Sequence, residues 1–209
     1  MARQGCDRIY LASQSPRRQE LLRSWGVAFD LLLADENEDA EALEVARPNE
    51  SPRVYVRRVT QLKLEAAMRR RLSRGLVEAP VLCADTTVAL GRDILGKPES
   101  KRHASEMLAR LSGCSHDVYT AVALAWGHES EVLVSHSKVT FAPLSARQIN
   151  AYVATGEPMG KAGAYGIQGL ASLWISQIKG SYSGIMGLPA YETALLLDRA
   201  GCRMALRGK

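Results

Sequence analysis

The sequence has few cysteines, and their spacing does not suit metal binding. The four cysteines of the 209-residue chain are widely separated, at Cys6, Cys83, Cys114 and Cys202. No CxxC pair and no cysteine–histidine ligand spacing occurs, which argues against a zinc site and against a disulfide framework. We therefore expect a reduced, cytoplasmic protein.

Long apolar runs are also absent. No run approaches the roughly 20 residues that a membrane-spanning helix requires, and the first residues, MARQGCDR, show no apolar stretch behind a basic start. We expect neither a membrane span nor a secretory signal. The length allows one large α/β domain or two tight lobes, with ample core. The sequence has no internal repeat, low-complexity tract or obvious linker, and we predict a single domain over residues 1–209.

A strong charge of either sign is missing as well. The 27 basic and 22 acidic residues leave a formal net charge of only +5. One dense basic run, MRRRLSRG at 68–75, falls at the end of a predicted helix, where cations interact favourably with the helix dipole. No helix-turn-helix, zinc-finger or RNA-binding signature accompanies it, so we do not expect nucleic acid as a partner.

What the sequence does contain is an alternation of strand-like and helix-like segments. The predicted strands are residues 9–12, 27–33, 81–90, 116–126, 131–141 and 173–178. The predicted helices are residues 16–25, 52–74, 100–113, 145–154 and 189–197. Two long strands joined by the short turn GHES indicate an antiparallel hairpin. The fold class is therefore α/β with mixed strand pairing, and ligands in such sheets tend to bind at the loops beyond strand ends.

The junction between the first strand and the first helix, ASQSPRR at 12–18, carries an unusual pair of arginines. Ser15 can cap the helix with its hydroxyl, and Pro16 suits the first helical position. Arg17 and Arg18 oppose the positive end of the helix dipole unless an anion lies between them. Solvated arginines and a bound phosphate explain the pattern equally well.

Charged residues also interrupt apolar segments further along the chain. Lys63 lies on the apolar face of the helix 52–74. Either its aliphatic chain is buried and its ammonium reaches water, or the ammonium reaches a buried anion. Asp85 lies in an apolar strand, either at its end or buried at a cost, and Lys97 follows on a loop. A carboxylate at a strand end and a nearby lysine suit metal and phosphate chemistry.

Two loops carry further candidates. In the acidic loop after residue 33, solvated charges are the default, but Glu38 or Glu36 could join Asp85 in holding a divalent cation on phosphates. The segment GKAGAYGIQG, 160–169, has four glycines but is neither a Walker A loop nor GxGxxG. Gln168 could offer a paired donor and acceptor to a base edge, or the segment could be only a structural turn. His116 is interpreted as structural.

Several of these pieces, in this order, resemble the Maf family of nucleoside triphosphate pyrophosphatases from about Ile9 to Leu197. The pieces are ASQSPRR (12–18), ADTTV (84–88), GKP (96–98), KAGAYGIQG (161–169) and GSYSGIMGLP (180–189). KAGAYGIQG and SYxxxxGLP look like the branch that acts on dTTP and UTP. The branch that acts on 7-methyl-GTP usually has Glu-Gly where this chain has Gln168-Gly169.

The resemblance implies a mixed, twisted central sheet with flanking helices and a deep cleft between two lobes, a fold related to that of inosine triphosphatases. It implies hydrolysis of dTTP, UTP and modified pyrimidine nucleotides to the monophosphate and diphosphate, with Mg²⁺ or Mn²⁺ as cofactor. A cytoplasmic homodimer, removal of non-canonical nucleotides and an influence on cell division are the further properties that it suggests.

Transferred position by position, the resemblance assigns catalysis to four residues and substrate binding to six. The catalytic residues are Asp85, Glu38, Lys63 and Lys97. The substrate-binding residues are Ser13, Arg17, Arg18, Thr86, Lys161 and Gln168. Asp85 would accept a proton, and Glu38 with Asp85 would hold the cation. Glu36 remains an alternative to Glu38, because the acidic loop is long.

Two other functions remain open at this point. One is a house-cleaning pyrophosphatase for non-canonical purine nucleotides, which would prefer purine substrates. The other is a basic, nucleic-acid-binding regulator that uses SPRR and MRRRLSRG, and its binding would weaken steeply with salt. The second function gives no role to Lys63, Asp85 or Gln168.

Overall fold

The chain folds around one mixed β-sheet. The computed structural model describes residues 6–35, 38 and 41–206. Within these residues seven strands pair in the order β2-β1-β3-β5-β6-β7, with β4 paired to β3. The strands are β1 (Ile9–Leu11), β2 (Phe29–Leu31), β3 (Val81–Leu90), β4 (Asp93–Leu95), β5 (Ser115–Trp126), β6 (Glu129–Phe141) and β7 (Ile175–Lys179). β1 runs parallel to β2 and β3 and the other pairs are antiparallel, so the predicted mixed α/β sheet is confirmed.

Helices flank this sheet, and serine hydroxyls cap four of those in the described part of the chain. In the described part of the chain they are α1 (Pro16–Ser24), α2 (Pro52–Ser73), α3 (Lys101–Leu111), α4 (Ala146–Ala154), α5 (Tyr182–Met186) and α6 (Ala190–Arg199). The hydroxyls of Ser51, Ser100 and Ser145 accept a backbone N–H in the first turn of α2, α3 and α4, which fixes these starts. None of the described helices combines the length and the apolar character needed to cross a bilayer.

Two elements were not predicted from the sequence. β4 is a three-residue strand that pairs back onto β3 after a turn at Gly91, where φ is +64°. α5 forms within SYSGIMGLP, where only a glycine-containing turn was expected. Ser181 caps this helix by accepting the Gly184 amide, and Gly187 ends it at φ +118°, a conformation that glycine adopts without steric cost.

The core divides the molecule into two lobes. Alternate residues of β3 face opposite sides of the sheet: Leu82 packs in a cluster with Leu22 of α1 and Leu196 of α6, and Cys83 packs with Leu64 of α2. A separate cluster at the other end of the long strands joins α3, α4 and the glycine-rich segment. β3, β5 and β6 therefore run through both lobes, and residues of both lobes line a cleft between them.

Candidate active site

The cleft opens where β1 ends and its neighbour β3 continues. It has a volume of about 720 Å³. The parallel pairing of β1 with β3 stops at Leu11 and Leu82, and β3 runs on to Leu90. Asp85 lies just past this point, with 15% of its side chain exposed. Asp85 therefore lies in the middle of β3, not at its end, and it lines the cleft beyond the end of β1.

Charge accumulates strongly in this cleft. Among the described residues its walls carry seven cationic side chains against three acidic ones, an excess of four positive charges. The cations are Arg17, Arg18, Lys63, Arg69, Arg70, Lys97 and Lys161, and the acids are Glu38, Glu44 and Asp85. Because a cleft with partly buried walls focuses the field of its charges, this arrangement favours a ligand with several negative charges.

Ser13 lies just before the N-terminus of α1 and is nearly buried, with 9% of its surface exposed. Its Oγ accepts the Ser15 amide at 3.2 Å and Nη1 of Arg18 at 3.1 Å. Both lone pairs are then occupied, so the hydroxyl proton is free to donate into the cleft. Ser15 occupies the N-cap position of α1 but makes no side-chain capping bond, so the prediction that its hydroxyl caps the helix is wrong.

The two arginines of the junction are held by carbonyls rather than by solvent. Nε of Arg18 donates to the Gly187 carbonyl at 2.8 Å, and Nε of Arg17 donates to the Met186 carbonyl at 3.3 Å. Burial lowers the pKa of Arg18 from its ordinary value, and the charge of Asp85 opposes that shift. A guanidinium remains protonated at neutral pH, so both side chains present positive charge to the cleft.

Lys63 joins the helix α2 to the floor of the cleft. Its Nζ lies 2.7 Å from Asp85 Oδ1 and 2.7 Å from Glu44 Oε1. Nζ of Lys97 lies 3.7 Å from the other oxygen of Glu44. Burial alone would lower the pKa of Lys63, but attraction to the two carboxylates outweighs it and raises the pKa. Of the two sequence interpretations, Lys63 therefore follows the second and reaches buried anions.

Glu44 is a site residue that the sequence analysis did not single out. It ends a short 3₁₀ turn, Glu41–Glu44, and its carbonyl accepts the Tyr55 hydroxyl at 2.7 Å. Burial would raise the pKa of Glu44, but the charges and hydrogen bonds of Lys63 and Lys97 together outweigh burial and lower the pKa. The only sequence signal was its place among apolar neighbours in AEALEVA, which differs from the acidic surroundings of Glu38.

Glu38 also lines the cleft, but it is bound elsewhere. Arg70, which is buried, donates from Nε to Glu38 Oε1 at 2.8 Å and from Nη2 to Oε2 at 2.5 Å. Both carboxylate oxygens are thus engaged, and the hydrogen bond to Arg70 lowers the pKa of Glu38. Arg70 also donates to the Leu32 carbonyl, so this part of the basic run fastens the acidic loop to α2. Glu36 lies outside the described residues.

The substrate residues expected in the second lobe line the same cleft. The hydroxyls of Thr86 and Thr120 are 3.1 Å apart, and Thr120 donates to the Gly184 carbonyl at 2.7 Å. Gln168 and Lys161 reach the cleft from the glycine-rich segment. Burial lowers the pKa of Lys161, and charge repulsion from Arg17 lowers it further. The glycine-rich segment and α1 therefore interact electrostatically across the cleft.

The carboxylates on the cleft floor suit a hard divalent cation. Asp85 and Glu44 both point an oxygen at the Lys63 ammonium, so two anionic oxygen donors already converge on one positive charge. Among the described residues no group of three or more His, Cys, Asp and Glu side chains could hold a metal. Mg²⁺ usually takes one or two carboxylates and completes its shell with water and phosphate oxygens, and these two residues fit that requirement.

Comparison with known proteins gives consistent matches over most of the chain. The family model described as Maf-like protein matches residues 8–200. A dTTP/UTP pyrophosphatase of Albidiferax ferrireducens is 58% identical over 196 residues, which is 94% of this chain and 98% of the relative. A dTTP/UTP pyrophosphatase of Cupriavidus metallidurans is 60% identical over 193 residues, 92% of this chain and 96% of the relative. A crystal structure of a nucleoside-triphosphatase / dITP/XTP pyrophosphatase from Mycobacterium abscessus is 17% identical, covers 66% of this chain and 75% of its own, and has a TM-score of 0.41.

Proposed function

The chain belongs to the Maf family, and we propose that it is a pyrophosphatase that hydrolyses dTTP and UTP to the nucleoside monophosphate and diphosphate. The observation that carries this proposal is the Glu44–Lys63–Asp85 cluster on the floor of a cleft whose described side chains carry four excess positive charges. Relatives that are 58% and 60% identical to this chain carry the name dTTP/UTP pyrophosphatase, which supports the choice of substrate.

The cations of the cleft would bind the triphosphate. Ser13 and Arg17, at the start of α1, together with the helix amides, would hold phosphate oxygens. Arg18 is held by Gly187 and Ser13. It would help to orient the phosphates and would add positive charge next to them. Lys97 and Lys161 would approach from the other lobe and stabilise the negative charge that develops on the departing diphosphate.

Asp85 is proposed as the proton acceptor. Lys63 binds one of its carboxylate oxygens at 2.7 Å, which leaves the other oxygen to accept a proton from water. The water oxygen would attack the α-phosphorus, and the bond from that phosphorus to the bridging oxygen would break as the diphosphate leaves. A divalent cation, Mg²⁺ or Mn²⁺, bound by Asp85 and Glu44 would neutralise charge on the phosphate oxygens. We propose Glu44 in this position in place of Glu38, whose two oxygens are held by Arg70.

Base recognition is proposed for Gln168 and Thr86, which both line the cleft. An amide offers one donor and one acceptor, and these match the acceptor and donor on the pairing edge of uracil or thymine. Modified pyrimidine nucleotides with the same edge would be accepted too. Hydrolysis of such nucleotides in the cytoplasm would keep them out of nucleic acids, and an effect on cell division would follow from altered nucleotide supply. A single domain and a homodimeric assembly remain predictions from the resemblance.

Pyrophosphate release from dTTP, UTP, CTP and ITP with Mg²⁺ or Mn²⁺ tests this function. We expect fast release from dTTP and UTP, and a loss on the order of 10² or more in kcat/KM for Asp85→Asn. Asp93→Asn is the matched control, because Asp93 is an exposed carboxylate that pairs with Arg110. Preference for ITP would favour the purine house-cleaning alternative, and equal activity of Asp85→Asn and wild type would contradict the proposed role of Asp85.

A further inference from the structure

Glu157 lies between α4 and the glycine-rich segment, outside the cluster of charges on the cleft floor. Its Oε1 accepts the hydroxyl of Tyr152 at 2.9 Å, and its Oε2 accepts the backbone amide of Leu170 at 3.1 Å. Tyr152 is a core residue of α4 with 3% of its surface exposed. One carboxylate thus ties the backbone that follows Gln168 to a rigid helix.

The same residue also holds the other end of the segment. The backbone carbonyl of Glu157 accepts the Nζ of Lys161. Lys161 and Leu170 bracket the stretch that contains Gln168, so Glu157 fastens this stretch at both ends, once through its main chain and once through its side chain. A loop held at both ends loses little conformational freedom when it meets a ligand.

Gly169 shows how closely the carboxylate packs on this backbone. A Cβ built on Gly169 would lie 2.0 Å from Oε1 of Glu157 and 2.5 Å from its Cδ. The backbone of Gly169 has φ −96°, a conformation open to any residue. The glycine is therefore required here for the space that the Glu157 carboxylate occupies, and not for its dihedral angles.

We propose that Glu157 is a positioning residue that clamps the segment 161–170 so that Gln168 meets the base of the substrate. The inference rests on the proposed function, because it assigns Gln168 to base recognition. It makes base selectivity a property of the Glu157–Gly169 pair as well as of Gln168. Glu157 touches no reacting atom in this scheme, so its loss should act on substrate binding more than on the chemical step.

Steady-state kinetics of three variants on UTP and ITP test the clamp. Glu157→Ala should raise KM for UTP roughly tenfold or more and change kcat much less, since a recognition group is displaced, and the preference for UTP over ITP should fall. Glu157→Gln should restore most of the wild-type KM, because an amide can accept the Leu170 amide and donate to the Tyr152 hydroxyl. Glu106→Ala, on the exposed face of α3, is the matched control.

Gly169→Ala gives an independent test through non-additivity. Alone it should mimic Glu157→Ala, because the new methyl group displaces the carboxylate. In the Glu157→Ala background the methyl group has room, so Gly169→Ala should add little, and the two effects should not sum. Additive effects, or equal loss of activity on UTP and ITP in every variant, would overturn the clamp.

Hydrogen exchange over residues 160–174 separates this inference from the proposed function. The Leu170 amide should be protected in the wild type and Glu157→Gln, and should exchange faster in Glu157→Ala and Gly169→Ala, with Tm measured alongside to identify any unfolded variant. If the wild type did not hydrolyse UTP, the proposed function would fail, while faster exchange would still support the clamp. Unchanged exchange in Glu157→Ala would refute the clamp whatever the activity.

Discussion

Acidification should destabilise this protein through one buried histidine. His116 is the second residue of β5 and exposes only 1% of its surface. Its Nε2 lies 2.8 Å from the Tyr165 hydroxyl, and its ring packs edge-on against Phe141 and Tyr165. Its Nδ1 is buried and has no hydrogen-bond partner among the described residues. Burial lowers the pKa of His116 from 6.5 to about 4, because an imidazolium there would lose its hydration.

The sign and size of the effect follow from this shift. Between pH 6.5 and about 4 the unfolded chain binds a proton at His116 that the folded chain does not. Stability therefore falls as the pH falls through this window, and each pH unit costs about 1.4 kcal/mol while only the unfolded state is protonated. The full window corresponds to roughly 3 kcal/mol of the free energy of unfolding. Below it, both states are protonated and His116 causes no further loss.

Urea denaturation of the wild type and His116→Phe across this pH range measures the effect. The variant should be less stable at pH 7, since the Tyr165 hydroxyl loses a partner at a cost of about 1–3 kcal/mol, yet its stability should fall less towards pH 4. Carboxylates such as Glu44 titrate in both proteins, so the difference between the two curves isolates His116. His128→Phe, at an exposed turn position, is the control. Parallel curves for wild type and His116→Phe would refute the reasoning.

Two further predictions concern the cleft. Glu44→Gln should lower kcat/KM for UTP by on the order of 10², whereas Glu38→Gln should change stability more than kinetics; the opposite result would return the catalytic role to Glu38. Gly163→Ala should destabilise the protein by roughly 2–4 kcal/mol in urea denaturation, because Gly163 has φ +67° and a Cβ there would lie 2.8 Å from Cγ1 of Val88. Ala164 is the next residue, at φ +61°, and Ala164→Gly should lower the free energy of unfolding by less than about 1 kcal/mol. A similar loss of stability in both variants would show that the contact with Val88 is unimportant.

Much of the fold could be predicted because its signals are local. The alternation of apolar residues in β5 and β6, and the serines that begin α2, α3 and α4, act within a few residues of one another. β4 and α5 escaped prediction because three to five residues carry too little periodicity. α5 depends on partners from distant parts of the chain, since Arg18 and Thr120 bind its terminal carbonyls.

The site residues divide in the same way. Lys63 and Asp85 could be singled out because a charge in an apolar segment is visible in one stretch of sequence. The partners of Arg17 and Arg18 could not, because the carbonyls of residues 186 and 187 lie 169 positions away along the chain. The distance between the two segments is closed only by the packing of α1 against α5, which no local pattern encodes.

The choice between the carboxylates of the acidic loop shows most clearly what could not be predicted from the sequence. The loop and α2 run in opposite directions, and four ion pairs between described residues join them. They are Asp35–Arg74, Glu38–Arg70, Glu44–Lys63 and Glu50–Arg58. Every one of these pairs looks alike in sequence, an acid in the loop matched to a base on the helix. What separates them is the third partner, since only Lys63 also contacts Asp85 on β3.

The chemistry of the bases then decides which carboxylate remains available. Arg70 and Arg58 each bind both oxygens of their partner, Glu38 or Glu50, in the paired geometry that a guanidinium favours. Lys63 carries a single ammonium and shares it between one oxygen of Glu44 and one oxygen of Asp85. The second oxygen of Asp85 is therefore left for a cation, a water or a proton, while the second oxygen of Glu44 faces the Lys97 ammonium at 3.7 Å, in a long ion pair. Three of these four ion pairs use an arginine and serve to hold the loop against α2. The pair that uses a lysine, Glu44–Lys63, also includes Asp85, and it can therefore take part in chemistry.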